Sequence, residues 1–195
     1  DPCGLESHPR RLWKRTGMAL VIPGLGTVTQ DGDWLVTEPR EVPALGGRCR
    51  FLIDGYDPQE EARDLVACVG ALCSLDVSHL ESASGHVFDY YRDVASEVAS
   101  RTPGFPDISQ PAQVWDFVTL TREPVVQREE DGGPWFVALE NECAWEPEHG
   151  LMLVLKEGRE VTKVSEYDGH LTNRHAFADD SIPESAVYWN PSTSL

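Results

Sequence analysis

The sequence has little positive charge and no long apolar run. Its 195 residues include 16 Lys and Arg against 33 Asp and Glu, which gives a formal net charge of −17. Proteins bind nucleic acid through clustered Lys and Arg that displace counterions from phosphates. The charge therefore argues against nucleic-acid and anionic-membrane ligands. The apolar run at residues 18–22 is far shorter than the roughly 20 residues of a membrane-spanning helix.

Cysteine is also sparse. There are 5 cysteines, an odd number, and no pair forms a Cys-x-x-Cys motif. This argues against a disulfide framework, a zinc knuckle and a thioredoxin-like redox pair, and it favours a reducing compartment. The basic residues 10–15 before the apolar run resemble the start of a signal peptide, but Pro23 and Gly24 end that run and no cleavage site follows. We expect a cytoplasmic protein.

The first half of the chain is predicted to form strands followed by two helices. Asp57 looks like an N-cap, with Pro58 at the first helical position and Glu60 completing a capping box, so a helix is expected to start there. A second helix is predicted over residues 78–99, which makes an αα-hairpin. The strands predicted before the helices cover residues 18–22, 26–29, 34–37 and 49–53.

Strand patterns resume after a proline-rich connection. Trp135, Val137, Leu139, Cys143 and Trp145 share one face by period-two spacing. Strands at 150–155 and 160–165 are expected to pair as a hairpin. The other strands are predicted at 114–121 and 125–128.

The predicted fold is α+β, a mainly antiparallel sheet with the αα-hairpin inserted between N-terminal and C-terminal strand groups. The predicted organisation is a basic N-terminal arm (1–17), a single domain (18–177) and a polar C-terminal tail (178–195).

Two polar and aromatic segments flank the predicted hairpin. If its strands pair, residues 141–150 and 166–173 lie at the same end. We therefore predict a binding surface at that end, formed by Trp145, Glu146, Glu148, His149, Tyr167, Asp168 and His170.

Three chemistries would be compatible with this cluster. His149, His170 and His175, with Glu148 or Asp168, are residue types that ligate zinc or iron, although their spacing matches no known metal motif. Cys143 with His149 and Asp168 would suit an activated thiolate. Glu146 and Glu148 would suit an acid–base pair.

The alternative is that these residues shape turns, with Asp168 accepting local backbone N–H groups. This structural interpretation is preferred, so no catalytic residue and no cofactor is predicted.

The charge is unevenly distributed along the chain. Residues 129–155 contain no Lys or Arg and seven acidic residues, which are Glu129, Glu130, Asp131, Glu140, Glu142, Glu146 and Glu148. Such a face attracts a basic protein by electrostatic steering. A solvated surface that only maintains solubility is the other explanation.

The residues also carry a family resemblance. The segments Trp145-Glu146-Pro147-Glu148-His149-Gly150 and Tyr167-Asp168-Gly169-His170-Leu171-Thr172-Asn173 resemble a widespread bacterial family of uncharacterised domains. Residues 26–56 and the segment Phe88-Asp89-Tyr90-Tyr91 are similar to it as well. Some loosely similar small acidic domains are immunity proteins encoded beside toxins, which by analogy implies a toxin as the partner.

The resulting hypothesis is a non-catalytic, acidic protein-binding domain that neutralises a basic toxin domain. The alternative is a metal-dependent, hydrolase-like enzyme with its site at residues 146–149 and 168–170.

Overall fold

The computed structural model describes residue 17 and residues 19–192. Within that part of the chain, no helix is long and apolar enough to cross a membrane. The predicted basic arm lies outside the described residues, except for Gly17. The strands are β1 (Ala19–Ile22), β2 (Gly26–Asp31), β3 (Trp34–Thr37), β4 (Arg40–Val42), β5 (Gly47–Cys49), β6 (Leu52–Ile53), β7 (Val118–Thr119), β8 (Val125–Gln127), β9 (Phe136–Cys143), β10 (Leu151–Lys156) and β11 (Glu160–Ser165).

Nine of these strands form one sheet. Its order is β1-β2-β3-β6-β8-β9-β10-β11, and β7 pairs separately with β9. Among the described strand pairs, only β6 and β8 run parallel. Strands β4 and β5 form a separate antiparallel pair. The helices α1 (Arg63–Ser74), α2 (Val77–Glu81) and α3 (Ser84–Val98) are inserted between the two strand groups, which confirms the predicted α+β fold.

The larger core lies between the helices and one face of the sheet. Leu65, Val69 and Leu72 of α1 pack in the same cluster as alternate residues of β9 and β10. The face predicted by period-two spacing is confirmed, because all its members are buried in that cluster: Trp135, Val137, Leu139, Cys143 and Trp145.

A smaller core covers the opposite face. Phe136, Ala138, Met152 and Val154 alternate with the residues of the larger core, and Leu171 packs on them. Four residues in a row at the start of β9 are therefore buried, because both faces of the sheet are covered there.

The prediction that the first helix starts at Asp57 is wrong. Residues 57–60 form a turn in which the Glu60 N–H donates to the Asp57 carbonyl at 2.9 Å, and α1 begins at Arg63. The Glu60 carboxylate, which a capping box would turn back onto the helix start, instead binds Arg128 Nη2 at 2.7 Å. The Glu60 carboxylate is therefore engaged in an ion pair with a residue distant in sequence and does not cap a helix.

The single helix predicted over residues 78–99 is two helices. Helix α2 ends at Glu81 and α3 begins at Ser84. The hydroxyls of Ser82 and Ser84 donate to the carbonyls of His79 and Glu81, and such bonds compete with the regular helical ladder.

Two predicted strands are much shorter in the structure. The first half of residues 114–121 belongs to a 3₁₀ helix, Pro111–Phe117, in which Trp115 Nε1 donates to Ser84 Oγ of α3 at 2.8 Å. Only β7 remains as a strand. The predicted strand at 49–53 is split between β5 and β6, which belong to different sheets.

The chain after β11 returns over the sheet. It contains the short helix α4 (Asn173–Phe177). The Val164 N–H of β11 donates to the Val187 carbonyl at 2.8 Å, and Tyr188 Oη donates to Asp93 of α3 at 2.6 Å. The polar segment up to residue 192 therefore has partners on both β11 and α3.

Candidate functional site

The two polar segments meet at one end of the hairpin. Strands β10 and β11 pair as expected, and the Tyr167 N–H donates to the His149 carbonyl at 3.1 Å. The predicted juxtaposition is therefore confirmed. We call residues 144–150 and 166–172 the loop end, and residues 157–159 at the opposite end of the hairpin the turn end.

Trp145 belongs to the core of the loop end. It is 2% exposed, and its ring makes edge-on contacts with Tyr90 and Tyr91 of α3, with centroids 6.2 and 5.8 Å apart. Tyr90 also donates through Oη to the Gly150 carbonyl at 3.0 Å. These contacts attach the loop end to α3, and they place Trp145 beneath the surface.

Two of the polar side chains near Trp145, those of Glu146 and His149, are paired with each other. His149 Nδ1 lies 3.4 Å from Glu146 Oε1, whereas Glu148 is exposed. The Cys143 Sγ lies 3.7 Å from the Glu146 carbonyl, and burial raises the pKa of the thiol to about 11. A protonated thiol is a poor nucleophile, and the imidazole of His149 faces Glu146.

Lys163 anchors the other segment, and this residue was not identified from the sequence. Its side chain is fully buried on the face of the smaller core, opposite Val154. Its Nζ donates to Asp168 Oδ2 at 2.6 Å and to the His170 carbonyl at 2.9 Å. The same carboxylate accepts the His170 N–H at 2.9 Å.

Burial lowers the pKa of Lys163, and the neighbouring Asp168 carboxylate opposes that effect. A buried ammonium is tolerated only when it is paired and hydrogen-bonded, as here. The Asp168 carboxylate thus accepts hydrogen bonds from the Lys163 ammonium and from a backbone N–H of its own loop. A charged residue beside apolar positions in a strand, with a carboxylate five residues later, is the one signal that would have suggested this pair.

The three candidate metal ligands divide into two groups. The rings of His170 and His175 have centroids 5.5 Å apart, while His149 pairs with Glu146. His175 Nδ1 lies 3.4 Å from Glu129 Oε1, which also accepts a hydrogen bond from Thr172 Oγ1 at 2.9 Å. Among the described residues, no group of three or more His, Cys, Asp or Glu is placed to hold a metal ion.

The acidic residues of segment 129–155 fall into two groups in the part of the chain that the structure describes, those with a partner and those without an ion pair to Lys or Arg. Glu129 binds Thr172 and His175, and Asp131 lies 3.8 Å from Arg128. Glu140 and Glu142, in contrast, alternate with buried residues of β9 and are exposed. We call Glu140, Glu142 and Glu148 the acidic patch. Within residues 19–192, none of the three forms an ion pair with Lys or Arg.

Tyr167 is the aromatic residue beside the acidic patch. It is 49% exposed, and the charge of Glu140 is the main cause that raises the pKa of its phenol. Burial also raises the pKa of Glu140 itself, although the side chain reaches solvent. The arrangement is an exposed phenol next to carboxylates, on a loop anchored by Lys163.

The chain belongs to the family described as Domain of unknown function (DUF6985), whose model matches residues 24–171. The matched range runs from the β1–β2 turn to Leu171 and includes the acidic patch. Neither a curated protein nor a solved structure was found to match the chain.

Proposed function

We propose that this member of the DUF6985 family is a non-catalytic binding protein whose acidic patch engages a basic protein partner. The observation that carries the proposal is the exposure of Glu140, Glu142 and Glu148, which form no ion pair with Lys or Arg among the residues that the structure describes. Unpaired carboxylates on a surface are available to Lys and Arg of another protein, and they accelerate association by long-range attraction.

The surroundings of the acidic patch support binding rather than catalysis. The two groups with most catalytic potential at the loop end are bound to neighbours, Asp168 to Lys163 and Glu146 to His149. Tyr167 supplies a large, half-exposed ring of the kind that is enriched at the centre of protein interfaces. Because the loop end is attached to both α3 and Lys163, little ordering entropy is lost on binding.

We further propose that the partner is a basic toxin domain. The support is an analogy, since some loosely similar small acidic bacterial domains are immunity proteins encoded beside toxins. The complementary charge is consistent with it, since a cationic surface would meet the acidic patch with the correct sign.

The test is a pull-down with each neighbouring gene product, followed by affinity measurements across a salt series. Reversing the patch (Glu140→Lys, Glu142→Lys and Glu148→Lys together) should abolish binding, and added salt should weaken binding to the original protein. The matched control reverses three exposed glutamates elsewhere, Glu61, Glu81 and Glu97, and it should retain the partner.

Tyr167→Ala tests the aromatic contribution separately. We expect an approximately 30-fold loss of affinity, typical of an interface residue worth about 2 kcal/mol. Binding that ignores both salt and reversal of the patch would refute the proposed surface, as would equal losses in the patch and control variants.

A further inference from the structure

Three arginine residues line one groove. They are separate in sequence from the residues of the acidic patch. The groove has a volume of about 560 Å³ and is lined by Arg48, Arg50 and Arg122, with Pro39, Thr121 and Glu123. Three of its six lining residues are therefore cationic, in a chain with a net charge of −17.

The fold creates this concentration of charge from two distant segments. Arg48 lies in β5 and Arg50 follows that strand, two positions apart in an extended segment, so both side chains project to the same side. The Arg50 N–H donates to the Arg122 carbonyl at 3.0 Å, and the Leu52 N–H to the Pro124 carbonyl at 2.9 Å. Backbone pairing thus brings the segment of Arg122 alongside that of Arg50, and the Arg122 guanidinium lies next to Gly47 of β5.

The arginines keep most of their donors for a ligand. Arg48 Nη2 donates to the Pro39 carbonyl at 2.9 Å, and its Nε lies 3.5 Å from Glu41. Arg122 Nη1 donates to the Leu45 carbonyl, and the Arg122 side chain also hydrogen-bonds the Cys49 thiol. Each guanidinium has five N–H groups, so these contacts use a minority of them.

One carboxylate already occupies part of the groove. Glu123 pairs with Arg50 Nη2, and it is the only acidic residue among the six that line the groove. Its contact shows the geometry that an oxyanion adopts against Arg50. Planar guanidinium groups match carboxylate and phosphate oxygens in the same way, and phosphate carries more charge and more acceptors.

We propose that this groove binds a small phosphate-bearing anion, which takes the place of Glu123 on Arg50 and contacts Arg48 and Arg122. The hydroxyl of Thr121, which accepts the Glu123 N–H at 3.1 Å, remains able to donate to a phosphate oxygen. The net charge of the protein repels anions at long range, so binding must come from the groove itself. This site is independent of the proposed function.

The experiment is a calorimetric titration of the whole protein with inorganic pyrophosphate at constant ionic strength. We expect saturable one-to-one binding, weakened about tenfold by Arg48→Gln and by Arg50→Gln, since each removes a charge-assisted hydrogen bond. Both side chains are more than half exposed, so these variants should fold. The control is Arg92→Gln, an exposed arginine of α3, which should leave the affinity unchanged.

We expect Glu123→Gln to change the affinity for pyrophosphate in the opposite direction. Removing the competing carboxylate should tighten pyrophosphate binding several-fold, whereas a purely structural role of Glu123 would leave it unchanged or weaken it. A parallel titration with citrate distinguishes phosphate from carboxylate ligands. The proposal is overturned by an absence of saturable binding, by equal losses in the Arg50 and Arg92 variants, or by tighter binding of citrate than of pyrophosphate.

Discussion

The two ends of the β10–β11 hairpin are built in different ways. At the turn end, the backbone lies directly on α1, and a Cβ added to Gly158 would be 2.0 Å from the Cys68 carbonyl oxygen. At the loop end the backbone also makes a close approach, since a Cβ added to Gly150 would be 2.5 Å from the Asn141 carbonyl oxygen, but that contact is with β9. The contacts with α3 and the smaller core are made by side chains, chiefly Trp145 against α3 and Lys163 through Asp168. One end thus meets a helix through its backbone, and the other end is anchored by polar and aromatic side chains.

This difference bears on which side chains can face solvent at each end. The backbone packed against α1 leaves no space for a side chain at Gly158, so this glycine contributes to stability, although Glu157 and Arg159 beside it are exposed. Anchoring through a few buried side chains leaves the remaining ones free to face solvent. Glu148 and Tyr167 are among these exposed residues, and the other two members of the acidic patch lie on β9, which leads into the loop end.

The largest expected effect comes from Gly158→Ala at the turn end. The new methyl group would clash with backbone of α1, and φ at this position is +69°. Overpacking and left-handed strain together should lower the free energy of unfolding by about 4 kcal/mol, measured by urea denaturation.

Gly169→Ala at the loop end is the matched control. Its φ is +76°, but a Cβ there would have no neighbour within 4 Å. Strain alone should cost about 1 kcal/mol. If the two variants lose the same stability, close contact with α1 does not distinguish the turn end.

The next largest effect is expected from Asp168→Ala. It leaves the Lys163 ammonium buried with only the His170 carbonyl as an acceptor, which should cost about 3 kcal/mol in the free energy of unfolding. Adding Lys163→Met to the same variant removes the buried charge and should restore part of that loss. A double variant no more stable than Asp168→Ala would contradict the role assigned to the pair.

The smallest effect concerns two buried thiols. Burial raises the pKa of Cys68 beside the turn end to about 12 and that of Cys143 at the loop end to about 11, from an ordinary value of 9.0. Both are therefore protonated in the folded protein at pH 8. We expect a thiol reagent to label Cys143 before Cys68, because side-chain anchors open locally more readily than close backbone packing.

Mass spectrometry of the partly labelled protein identifies which thiol reacts.

The same pKa values have a consequence for stability. Between about pH 9 and pH 11 the unfolded chain loses thiol protons that the folded chain retains, so the free energy of unfolding should fall as the pH rises. Equal labelling rates at Cys68 and Cys143 would remove the dynamic distinction between the two ends.

Much of the fold could be predicted from local patterns. The alternation of β9 and the β10–β11 hairpin both follow from short-range spacing. The wrong predictions concern positions that make contacts with residues distant in sequence. Arg128 takes the Glu60 carboxylate that a helix cap would use, and Trp115 packs in a 3₁₀ helix on α3 instead of in a strand.

The candidate site was predictable only in part. Pairing of two strands brings the loop-end segments together, and hairpin spacing is sufficient to foresee this. The role of Lys163 was not foreseeable in the same way, because its burial depends on Leu171 and the smaller core covering the second face. The arginine groove was missed because Arg50 and Arg122 are far apart in sequence and meet only through backbone pairing.

The acidic balance, the α+β order of elements and the meeting of the two loop-end segments can all be inferred from the sequence, because charge and short-range periodicity are local properties. The three-dimensional fold establishes which acidic residues are exposed and unpaired, that Lys163 is buried with Asp168, and that three arginines line one groove. These outcomes depend on which surfaces cover one another, and burial determines whether a charged group stays in water or needs a partner.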